Sequence, residues 1–152
     1  MSTHAVPAPS RHARVGRTPL IVGAAAGAVA FALGPALFTP SAEVPPLEGI
    51  ELPLFIGLAV IEAVALAIGV AFAMAGRPLV ATVFTSAARV TAVHLALTWA
   101  LVSWWVHDGL HLVAGYNIPL LLGIEYGFHA TLIVGAAAVA LAVLQEARSR
   151  AS

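Results

Sequence analysis

Four long apolar stretches constrain this chain more than any other feature. They run over 20–38, 52–75, 79–106 and 118–144, and each meets or approaches the ~20 residues that cross a bilayer core at 1.5 Å per residue. Of the 152 residues, 61% are hydrophobic and 9% charged, against about 45–50% and about 25% in soluble domains. The expected fold class is therefore all-α: an integral membrane four-helix transmembrane bundle, forming one domain over 20–146. Lipid as well as an internal core satisfies its apolar surface, so soluble-core arithmetic does not apply. Cysteine is absent, which excludes disulfides and thiolate ligands from this chain.

The segments between the spans are short and readable. Residues 1–19 hold three prolines and three arginines with no apolar period, and read as a disordered basic tail. A secretory signal is the rival reading of the first apolar run, but the run exceeds a typical h-region, and Pro40, Ser41 and Ala42 make a poor cleavage site. Gly23 and Gly27 lie four apart and would let a neighbouring helix approach closely. Residues 39–51 form a proline-rich acidic loop with Glu43, Glu48 and Glu51. Pro53 suits a first helical turn, Gly76–Arg77–Pro78 a tight turn, and Asn117 followed by Pro119 a capped helix start. Trp104, Trp105 and Tyr116 mark a membrane boundary around the loop HDGLHLVAGYN. Residues 147–152 form a short tail.

Charge asymmetry sets the expected orientation. With four spans the termini share a side, so Arg11, Arg14, Arg17, Arg77, Arg148 and Arg150 gather on one face, and the two opposite loops hold no arginine. The positive-inside rule makes that face cytoplasmic, with the plasma membrane as the expected location. Glu43, Glu48, Glu51, His107, Asp108 and His111 then lie outside.

Ionisable residues inside apolar spans are costly and mark working sites. Counting inward from the outer loops, His94 lies roughly 18 Å deep, His129 roughly 16 Å, Glu62 roughly 15 Å and Glu125 roughly 10 Å, so three of the four fall near the midplane of the ~30 Å core. The expectation is that Glu62, His94, Glu125 and His129 converge. Glu125 and His129 share a helical face, and Asp108 lines up above His94 if the helix continues that far. His107 is out of phase with His94. His107 and His111 are spaced to chelate a metal if Gly109 does not interrupt the helix. Each residue also has a structural reading: His94 bonded to a neighbouring carbonyl, Glu62 as a protonated carboxyl, Arg89 snorkelling towards the cytoplasm, and His107 with His111 as an interfacial polar loop.

Three functions fit. In the first, His94, His107, His111, His129, Glu62, Asp108 and Glu125 supply ligands for a transition metal, or His94 and His129 hold a haem b, in a redox or metal-handling role. In the second, Glu62, His94, Glu125 and His129 relay protons or metal ions. In the third, the chain is a non-catalytic accessory subunit of a larger membrane complex, or a homo-oligomer, packed through its small residues. No phosphate-binding loop or nucleophile elbow is present, because the run GAAAG lacks the lysine and strand a P-loop requires. The partner is the lipid bilayer rather than nucleic acid, since the arginine tail is too short to track a phosphate backbone and suits anionic lipid.

Overall fold

A computed structural model describes residues 16–37 and 48–152. Residues 1–15 of the basic tail expected over 1–19, and 39–47 of the acidic loop expected over 39–51, lie outside the described residues; α1 already begins at Arg17. Every described element is an α-helix: α1 (Arg17–Leu37), α2 (Glu51–Ala75), α3 (Arg77–Val80), α4 (Ala87–Ala114) and α5 (Ile118–Ala151). All but α3 are long and apolar enough to cross a membrane.

The four long helices form an antiparallel row in chain order, with α1 on α2, α2 on α4, and α4 on α5. Among the described residues α5 makes no close approach to α1 or α2, so the bundle is open on one side. Small residues set the α1–α2 and α2–α4 interfaces. A Cβ on Gly27 would stand 2.7 Å from the Ala63 carbonyl oxygen and 2.8 Å from the Ala67 Cβ, and one on Gly69 would stand 2.6 Å from Val102 Cγ1. Gly23 likewise faces Ala67, so the glycine pair brings α1 and α2 together as its spacing implies. In lipid, where apolar contact between helices gains nothing over contact with acyl chains, close backbone approach of this kind drives packing.

The third span departs from expectation. In place of one helix over 79–106, the chain makes a single turn at α3, breaks over 81–86 and starts α4 at Ala87. The break holds Thr82, Thr85 and Ser86, whose side chains compete with helical bonding, and α5 supplies partners for its exposed backbone. The Thr85 amide donates to Glu146 Oε2 at 3.1 Å, and Arg150 Nη2 donates to the Val83 carbonyl at 2.6 Å. Val80, Phe84, Val90, Val93 and Ala142 form a buried cluster beneath this clasp.

The other end of α4 also differs. The loop expected from His107 onward is helical as far as Ala114, and Gly109 does not interrupt it. One glycine in a helix interior costs only ~1 kcal/mol, too little to stop a long helix by itself. Termination comes at Gly115, whose φ of 54° is the left-handed conformation that favours glycine after a helix end; its amide donates to the His111 carbonyl at 3.1 Å. Asn117 then caps α5, its side-chain oxygen accepting from the Leu120 amide at 3.2 Å.

Candidate functional site

Because α4 continues through His107, Asp108 and His111, these side chains come from a rigid helix rather than a loop. His107 and His111 are one turn apart, their rings 4.5 Å from centroid to centroid. Phe128 of α5 stacks on His107 at 4.1 Å and packs edge-on against Trp104 at 5.1 Å. This aromatic contact registers α4 against α5 and brings Glu125, nearly one turn before Phe128, opposite the two histidines.

The three side chains converge. Glu125 Oε1 lies 2.9 Å from His111 Nε2 and 3.4 Å from His107 Nε2, and one ligand atom from each of the three lies within 4.8 Å of the others. Both Nε2 atoms are buried, yet neither makes a hydrogen bond of acceptable geometry. Two ring nitrogens thus approach one carboxylate oxygen without aiming an N–H at it. A buried donor or acceptor without a partner costs about 1–3 kcal/mol. An ion with ~2.0–2.2 Å bonds and tetrahedral geometry sets its donor atoms about 3.3–3.6 Å apart; the His107–Glu125 separation of 3.4 Å falls in that range, and the His111–Glu125 one of 2.9 Å is shorter.

A second group of residues orients the first. His107 Nδ1 lies 3.1 Å from Asp108 Oδ1, so an Nδ1–H donated there leaves Nε2 as a bare lone pair, free to ligate, 3.4 Å from Glu125 Oε1. Metal-binding imidazoles are commonly held this way, with a carboxylate fixing tautomer and ring orientation. Asp108 in turn lies within hydrogen-bonding reach of Glu62 on α2, whose residue surface is only 6% exposed. A chain of polar contacts therefore crosses three helices, from Glu62 through Asp108 and His107 to Glu125.

Not every residue singled out in the sequence joins this group. His129 is at its margin: Nδ1 meets the Glu125 carbonyl at 2.8 Å and Glu125 Oε2 at 3.2 Å, while the side chain is 63% exposed. His94 stands apart. Its Nε2 donates to the Phe72 carbonyl at 3.0 Å and its ring lies 5.2 Å from that of Phe72, so it ties α4 to α2. Thirteen residues separate it from His107, or ~20 Å along the helix. The α4–α5 register, marked by Trp99 Nε1 donating to Thr131 Oγ1 at 2.8 Å, also offsets His94 from His129 by about two turns. A haem with both as axial ligands is not assembled, and the expected four-residue convergence through His94 is not formed. The helical-phase argument placed His107 away from His94, as found; it did not show that the opposite face carries the cluster.

One residue with a prominent role escaped the sequence reading. Glu146, 4% exposed, accepts from Thr85 and pairs with Arg89 at 3.2 Å and with Arg150 at 3.3 Å. Arg89 therefore has a carboxylate partner where snorkelling was expected. The available signal was a single acid two residues before Arg148, in a segment taken for the end of a span.

The chain matches no family model, no curated protein and no solved structure.

Proposed function

We propose that this chain is a multi-pass membrane protein that binds a divalent transition-metal ion through His107 Nε2, His111 Nε2 and Glu125, in a metal-handling role. The carrying observation is the pair of buried imidazole nitrogens that converge on one carboxylate oxygen without hydrogen-bonding to it. Two nitrogens and one oxygen, with no sulfur available, suit zinc and its borderline neighbours rather than calcium or magnesium, which take oxygen ligands. Three protein donors also leave a coordination position for water or another ligand, unlike a closed structural site. Asp108 would hold His107 in its ligating tautomer.

In this reading the arginine-rich side, with both termini, is cytoplasmic, and the metal residues lie near the outer face of the plasma membrane. His107 and His111 are seven and three residues from the end of α4, roughly 10 Å and 5 Å along the axis, a depth an ion can reach from the aqueous side. A proton relay is the second reading, favoured by the line of polar side chains from Glu62 to Glu125. An accessory role in a larger complex is compatible with the open face of α5.

The test is metal binding by the full chain in detergent. Protein stripped with a chelator and dialysed against zinc should retain about one equivalent, and cobalt in its place should give the intense visible bands of a four-coordinate site. His111→Ala should lose both. Absence of stoichiometric zinc or cobalt from folded wild-type protein overturns the metal reading and leaves the relay.

A further inference from the structure

A cavity of about 290 Å³ lies between α1, α2 and α4, on the side of His107 and His111 away from α5. That volume far exceeds what a bare ion or single water needs and approaches the lower end of small-molecule sites, ~300 Å³. Its wall combines Glu62 and Asp108 with the rings of Phe55 and Trp105 and the apolar side chains of Leu58 and Leu112. Trp105 is held in place across the helices, its Nε1 donating to the Ala30 carbonyl at 3.3 Å. Among the described residues, neither arginine nor lysine lines the cavity. Glu62 is 6% exposed, and a second acid, Asp108, stands on the same wall.

We propose that this cavity binds a small organic cation of the quaternary or tertiary ammonium class, with Glu62 and Asp108 as its counter-charge and Phe55 and Trp105 contributing aromatic faces. Each part of the wall favours this class over its alternatives. An inorganic ion would leave most of the volume and the apolar lining unused. A neutral apolar molecule would leave two neighbouring acids, Glu62 and Asp108, without a cation in an otherwise apolar wall. An anion would meet two acids and no fixed positive charge. An alkylammonium meets all three conditions: its charge sits on a bulky apolar surface, and aromatic faces attract it through their quadrupole. The site does not depend on a metal at His107 and His111, although those residues border it.

Choline is the probe, because its charge is permanent, and 3,3-dimethyl-1-butanol is its neutral counterpart of the same shape. Binding of radiolabelled choline to the full chain in an uncharged detergent, with chelator present, should be saturable with one site. The neutral alcohol should compete at least tenfold more weakly. Glu62→Gln should weaken choline binding at least tenfold, and Ala59→Leu, which fills the cavity from α2, should abolish it while zinc retention at the other site is unchanged. Where Glu62→Gln does not fold, Ala59→Leu decides. Equal competition by the alcohol, absence of saturable binding in the millimolar range, or binding that survives Ala59→Leu would each overturn the proposal. Persistence of choline binding in chelated protein separates this result from the fate of the metal reading.

Discussion

Replacing Asp108 by alanine tests the proposed metal centre without touching a ligand. In the structure the Asp108 carboxylate lies 3.1 Å from His107 Nδ1, so a proton held on Nδ1 leaves Nε2, 3.4 Å from Glu125 Oε1, with a free lone pair. Without that carboxylate the imidazole can carry its proton on either nitrogen, and a proton on Nε2 must be displaced before an ion binds. Loss of such an orienting partner typically lowers metal affinity by about 10–100-fold, or ~1.4–2.7 kcal/mol at about 1.4 kcal/mol per tenfold. Asp108→Asn should lose less, because the amide oxygen still accepts from Nδ1–H while the charge is gone. His111→Ala should lose more than either, since it removes one of three donors. His94→Ala should leave affinity unchanged, its ring being committed to the Phe72 carbonyl. Competition against a chromophoric zinc chelator gives the dissociation constants, with circular dichroism and gel filtration confirming fold. If Asp108→Ala binds within twofold of wild type while His111→Ala is weakened, the orienting role fails. If neither variant differs from wild type, the site itself fails.

Three further outcomes are expected. Gly27→Leu should destabilise the protein by about 1–3 kcal/mol through overpacking against Ala63 and Ala67, read as a lower thermal midpoint in detergent, whereas Gly57→Leu, which has open space around it, should change little; equal midpoints would refute the close α1–α2 contact. Glu146→Ala should lower the midpoint and expose the 81–86 link to proteolysis, because Thr85 N, Arg89 and Arg150 lose a common acceptor, with unaltered proteolysis arguing against the clasp. Reporter fusions after Ala114 should read as exported, and those after Arg77 and Ser152 as cytoplasmic; a cytoplasmic signal after Ala114 would reverse the proposed orientation.

The helical class and the number of long apolar helices were legible because both are local properties. Length and hydropathy are summed along a segment, and a stretch such as 52–75 declares itself without reference to any neighbour. Caps behave the same way: Asn117 with Pro119 marks a helix start by its own chemistry. Gly115 could have been read as the stop of α4, but the cluster of polar residues before it suggested a loop. The close α1–α2 contact was also within reach, since Gly23 and Gly27 lie on one face wherever the helix goes.

The break over 81–86 and the composition of the site were decided by tertiary structure alone. Whether Val83 and Thr85 continue a helix depends on partners for their backbone groups, and those partners, Glu146 and Arg150, lie more than sixty residues away. Whether His107 or His94 meets Glu125 depends on how far α5 slides along α4 and on its rotation. Stacking of Phe128 on His107 and the bond from Trp99 to Thr131 set that register. Depth in the bilayer was therefore an incomplete guide. It placed the ionisable residues on their own helices, while the angle of each helix about its axis, which only packing determines, selected the ones that meet.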